Sequence, residues 1–301
     1  MMSKSSMARE IIGRLDRFQH TLTLHGIDGA LIVQKVDLYY LTGTDQDAHL
    51  WVPASGPPLL MVRKSMERAI ENASIETILS LSSLSEIPVY IREACGAEPR
   101  KVGLEMDVLP VKMYQAYLKL FPKQEMVDVS PIIRDLRMVK SPHEIALIRK
   151  AAEMADRLYH KVPEFIKESE TENDLALKAE SFYRSQGHPG ISRMRGFNME
   201  NIYGHIMAGP SGAVPSASPG PTGGTGLGPF HSQGAGRRKL RPHEPIIVDY
   251  TASAEGYLSD QARIFSIGEL PENFQRAHQV MIQVQETVAR RGRPGVKASA
   301  L

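Results

Sequence analysis

The sequence predicts an α/β protein of two domains, and three observations predict it. Its 301 residues exceed the size that one hydrophobic core usually serves. Short apolar runs and helical stripes alternate through the first third of the chain. A strongly marked helix start near residue 141 then opens a second region.

In the first region Leu15, Phe18, Leu22 and Leu24 mark one face of a helix, and GALIVQ (29–34) reads as a short buried strand. LYYLTG (38–43) and PPLLMV (57–62) read as further strands, separated by the turn residues Gly43, Asp45 and Gly56. KVGLEM (101–106) repeats the strand signal. Met113, Tyr117 and Leu120 in PVKMYQAYLKLF (110–121) then fall at helical spacing. This order predicts a mixed sheet flanked by helices.

Ser141 can cap the next helix, Pro142 suits its first position and Glu144 completes a capping box. Ile145, Ile148, Ala152, Ala155 and Tyr159 define its predicted buried stripe. The domain boundary is placed just before it, near Arg134 to Lys140, giving regions 1–135 and 136–301. A second helix is predicted from Thr171 to Gly187. From Gly209 to Gly236 the composition turns to Gly, Pro and Ser; Phe230 and His231 within it favour a functional loop over a linker. GGTGLG (223–228) is not a phosphate loop, because no strand leads in, no Lys follows and no helix begins.

Composition narrows the function classes. With 42% apolar and 23% charged residues the chain reads as a soluble globular protein. No run of about 18 apolar residues is present to span a bilayer. The amino terminus lacks the apolar core of a secretory signal. One cysteine, Cys95, excludes an intramolecular disulfide and points to the cytoplasm. A net charge of +2 gives no case for a nucleic-acid partner, and Arg237, Arg238, Lys239 and Arg241 read as a solvated edge.

The chemistry lies in PIIVDYTASAEGYLSDQARIF (245–265). PIIVDY and ARIFSI are strand-like and Gly256 supplies a turn between them. Asp249 and Asp260 are placed so that a hairpin can bring them together on one face. Two ionised carboxylates held close repel unless a cation lies between them or one takes up a proton. A pair of divalent cations is a natural partner, polarising a carbonyl and supplying hydroxide at neutral pH. The competing structural role is that Asp260 caps the loop or pairs with Arg263.

With those residues in view, LRPHEPIIVDYTASAEGYLSDQARIFSIGELPENF (240–274) resembles the central hairpin of the M24 metallopeptidases, the pita-bread family of methionine aminopeptidases, Xaa-Pro aminopeptidases and prolidases. Asp249, Gly256-Tyr257, Ser259-Asp260 and Arg263 stand in matching order. RGRPGV (291–296) resembles the family's Pro-Gly turn, and residues 133–156 resemble the entry helix of its Xaa-Pro branch. Residues 1 to about 135 resemble the creatinase-type amino-terminal domain.

The resemblance implies a creatinase-like mixed-sheet domain followed by an incomplete pita-bread catalytic domain, an α/β (α+β) arrangement. It implies a hydrolase that cleaves the bond before proline in a peptide, acting as a homodimer with two divalent metal ions, Mn, Co, Zn or Fe. Asp249 would be a bidentate ligand of one metal and Asp260 would bridge both. His231 would be the substrate-binding histidine, with His205 competing for that role. The family's other ligands, one His and two Glu, follow the Pro-Gly turn. Here Glu269, Glu272, Glu286 and His278 lack the matching context, and the sequence ends at Leu301. The expectation is therefore a truncated chain that is inactive as it stands. The alternatives are a non-catalytic paralogue that binds or dimerises, and a metal-free amidinohydrolase of the creatinase type. Retention of both aspartates argues against the last.

Overall fold

The computed structural model describes residues 4–167, 170–196, 204–216 and 223–301. Part of the loop predicted between Gly209 and Gly236, residues 217–222, lies outside the described residues. The chain divides into two units. One runs to Ile145 and takes in the segment that begins at Arg193; the other holds Ala146–Ser192 and the chain from the strand at Gly204 onward.

The first unit is built on a six-stranded mixed sheet. Its strands are β1 (Gly29–Ile32), β2 (Ala48–Pro53), β3 (Leu59–Val62), β4 (Thr77–Ser80), β5 (Lys101–Leu104) and β6 (Glu125–Asp128), in the order β4-β3-β2-β1-β5-β6. β2 is antiparallel to both β1 and β3, and the remaining pairs are parallel. Every residue of β1, β2 and β3 is buried, the pattern of strands covered on both faces. Helices α1 (Lys4–Leu24), α2 (Lys35–Thr42), α3 (Met66–Asn72) and α6 (Ser130–Met138) contribute to one core, through Phe18, Leu41, Ala69 and Ile133. Helices α4 (Ile87–Cys95) and α5 (Val111–Leu120) contribute Ile91 and Tyr117 to the other, around Trp51.

LYYLTG, expected as a strand, is the body and end of α2. Gln34 accepts from the Val36 and Asp37 amides, and Gly43 closes the helix at φ 84°. Those two caps outweigh the strand preference of the paired tyrosines. Leu24 is 71% exposed, so the α1 stripe ends at Leu22.

Charge is paired inside this unit. Arg14 is wholly buried, donates to the Tyr40 carbonyl at 2.8 Å, and lies 3.2 Å from Glu10 and 3.4 Å from Glu144. Asp37, also buried, receives Arg137 and Arg195 at 2.6 Å each, while Arg193 reaches Asp45. Burial and the neighbouring Asp37 push the Glu105 carboxyl well above the usual carboxylate range.

The second unit holds helices α7 (Pro142–Phe165), from Ala146 on, and α8 (Glu172–Ser185). After them come the strands β7 (Gly204–Ala208), β8 (Ile246–Ala254) and β9 (Tyr257–Phe265), and helix α9 (Glu272–Arg291). The Ser141–Glu144 capping box forms, with bonds of 2.8 and 3.1 Å, and Thr171 and Asp174 make a second one at the start of α8. The buried stripe of α7 is Leu147, Ala151, Met154, Leu158 and Val162, with Ala155 and Tyr159 beside it. The predicted stripe was centred to one side: Ile145 is 46% exposed, because the 3–4 spacing that faces the sheet starts from Leu147.

The three strands form an antiparallel sheet in the order β7-β8-β9. Glu255 and Gly256 join β8 to β9 with φ of 50° and 84°, the two-residue turn whose backbone twist suits a hairpin. Gly204 lies against the Tyr250 ring so closely that an added Cβ would stand 1.9 Å from it. No residue of α9 is buried, and Phe274, Met281, Val284 and Val288 are among its exposed apolar residues. Among the described residues no helix is long and apolar enough to cross a membrane.

The Gly204 contact yields a direct test. Gly204→Ala must displace the Tyr250 ring from the core and should lower stability by about 1–3 kcal/mol, measured by urea denaturation.

Candidate functional site

β8 is the strand from which the site is built. Ile246, Val248, Tyr250 and Ala252 are buried and face the core formed with α7 and α8. Alternation turns Asp249 and Thr251 to the opposite, half-buried face. β7 sets His205 directly across from Asp249, and β9 sets Asp260 directly across from Thr251. His205, Asp249, Thr251 and Asp260 therefore share one face of the sheet.

The two aspartates are diagonal neighbours, not direct ones: Asp249 stands opposite Ala262. Diagonal positions lie roughly 7–8 Å apart, further than a facing pair. Thr251 occupies the intermediate position, and its hydroxyl donates to Asp260 Oδ1 at 3.1 Å. Sequence reasoning missed Thr251, although its place two residues after Asp249 carried the signal.

The electrostatics follow from that placement. Burial, reinforced by the charge of Asp260, pushes the Asp249 carboxyl up to about 6. Burial lowers the His205 imidazole, with Asp260 opposing that shift and His231 adding to it. His205 Nδ1 is buried and has no hydrogen-bond partner. Of the two histidines weighed from the sequence, His205 stands on β7 and His231, whose charge acts on it, lies on the glycine-rich loop. There the His231 amide donates to the Gly228 carbonyl at 3.0 Å.

The alternative partner for Asp260 is engaged elsewhere. Arg263 pairs across to Val248, one residue out of phase with Asp249, and its guanidinium lies over the Tyr159 ring and 3.9 Å from Asp156. Tyr159 in turn donates to the Gln261 carbonyl. His278, Glu272 and Glu286 lie on the exposed α9, and Glu269 offers its carbonyl to His243 at 2.7 Å.

Asp249 and Asp260 fit a divalent cation in donor type and charge, since their mutual repulsion and the raised Asp249 carboxyl are what a cation would relieve. Among the described residues no group of three or more His, Cys, Asp or Glu side chains is arranged to hold a metal ion.

Residues 14–139 match the creatinase/prolidase N-terminal domain, and residues 146–301 match metallopeptidase family M24. The Xaa-Pro dipeptidase of Pyrococcus horikoshii is 22% identical over 277 residues, spanning 92% of this chain and 70% of its own. A probable dipeptidase of Mycobacterium tuberculosis, PepE, is 26% identical over 288 residues, spanning 91% of this chain and 68% of its own. Among solved structures, the prolidase of Thermococcus sibiricus superposes with a TM-score of 0.70 at 26% identity, covering 91% of this chain and 70% of that one. The Xaa-Pro dipeptidase of Bacillus anthracis gives 0.78 at 21%, covering 96% and 73%.

The raised Asp249 carboxyl fixes a pH dependence. An acid whose folded-state value exceeds the unfolded ~3.9 contributes stability in full below about pH 4, and loses it as pH rises through about 6. In chelator, Asp249→Asn should gain on the wild type across pH 4–6, with the difference level above pH 7. Urea midpoints of both proteins measured across that range check this.

Proposed function

Because this chain belongs to metallopeptidase family M24, we propose that it is a metal-dependent Xaa-Pro peptidase of the prolidase or aminopeptidase P kind, acting on the bond before proline. The observation that carries the reading is the shared face of His205, Asp249, Thr251 and Asp260, on the hairpin that the family match covers. The similarity to Xaa-Pro dipeptidases supports the proline specificity. Asp249 and Asp260 are the residues that would hold divalent metal, drawn from Mn, Co, Zn or Fe. When bound, such ions polarise a carbonyl and make hydroxide available at neutral pH.

The chain's own groups have definite tasks in this reading. Thr251 fixes the Asp260 carboxylate through the 3.1 Å bond, so that its second oxygen is free to face a cation. Asp249 gives up its proton near pH 6 to act as a ligand. His205, its charged form disfavoured by burial, presents a neutral ring that can hydrogen-bond a peptide, and His231 is the alternative for that role. A cytoplasmic homodimer is part of the same proposal, by analogy with the family.

A non-catalytic binding module is the second reading, favoured because no three His, Cys, Asp or Glu side chains among the described residues are grouped to hold a metal ion. One experiment separates them. The peptidase reading expects hydrolysis of Xaa-Pro dipeptides in Mn²⁺ or Co²⁺, suppressed by chelator and at least about 100-fold lower in Asp260→Asn. Xaa-Ala dipeptides should be poor substrates. Hydrolysis that ignores the chelator overturns it, and none by the folded protein favours the binding module and the inactive chain expected from the sequence.

A further inference from the structure

A cavity of about 530 Å³ lies in the unit built on the six-stranded sheet and has no part in the chemistry above. Its size is that of a small-molecule site. Val108, Leu109, Pro110 and Met113 form an apolar wall. Lys35, Arg63 and Asp47 supply charges of both signs around the same space. Arg193, which also lines it, is held by Asp45, whereas Lys35 and Arg63 make no ion pair among the described residues.

The inner lining includes His49, 3% exposed. Its Nε2 bonds the Tyr117 hydroxyl at 2.8 Å and its Nδ1 has no partner. Burial, with Arg63 nearby, pushes this imidazole down to about 4, so it stays neutral at pH 7 and adds no charge to the cavity.

We propose that this cavity binds a free α-amino acid with an apolar side chain. Lys35 and Arg63 receive the carboxylate, Asp47 receives the ammonium, and the Val108–Met113 wall takes the side chain. A simple anion would be opposed by Asp47, and a purely apolar ligand would cover two cations without compensating them. The zwitterion matches all three charges and the wall together. This binding does not depend on the peptidase reading, although a peptidase releases molecules of this class.

Calorimetric titration of the intact chain tests it. L-Leucine should bind with saturable one-to-one stoichiometry. 4-Methylpentanoate, which lacks the ammonium, and leucinamide, which lacks the carboxylate, should each bind at least about tenfold more weakly. Lys35→Gln and Arg63→Gln alter exposed side chains. Each should weaken leucine binding about tenfold with an unchanged melting temperature. No saturable leucine binding by the wild type, equal binding of 4-methylpentanoate, or undiminished binding by the Lys35→Gln/Arg63→Gln double variant overturns the proposal.

Discussion

The two-sidedness of β8 is the constraint on which the second unit depends. All nine of its residues pair with β9 and five of them, Ile246 to Tyr250, pair also with β7, so the strand cannot slide relative to either neighbour without breaking a ladder. Ile246, Val248 and Tyr250 tie one face to the helices. The other face is then obliged to present Asp249 and Thr251. A slip of one residue would bury a carboxylate and expose the core, a penalty that holds the register in place. The site's geometry thus comes from packing on the reverse side of the sheet.

The two units treat buried charge in opposite ways. In the first, Arg14 is answered by Glu10, Glu144 and a carbonyl, and Asp37 by two arginines. Removing one partner from such a cluster would strand the other, so these groups act as structural locks. In the second, Asp249 and Asp260 share a face where Arg263, the nearest cation along β9, is directed elsewhere. Burial first, and the Asp260 charge second, raise the Asp249 carboxyl there.

Features encoded by neighbouring residues were legible in the sequence. The Ser141–Glu144 capping box, the start of α8 at Thr171, the Gly256 turn and both candidate aspartates are read from a few positions each. Those set by distant contacts were harder to read. The α2 helix was mistaken for a strand because Tyr39 and Tyr40 suit either state, and the decision fell to Gln34 and Gly43 as caps. The diagonal offset of Asp249 and Asp260 needed the ladder register, which spacing alone leaves open. The place of His205 was harder still: forty-four positions, including the glycine-rich loop, separate it from the aspartate it faces.

The Glu255-Gly256 turn has a consequence for how this protein can change. Most surface loops absorb inserted residues at small entropic cost. Here the turn has no slack, since two residues with positive φ close the hairpin. One additional residue there, unless taken up as a bulge, would rotate β9 by half a pleat and carry Asp260 to the reverse side. The hairpin behaves as a ruler of fixed length, and a shift of one codon's worth of chain at this point would erase the site while leaving every one of its residues in the sequence.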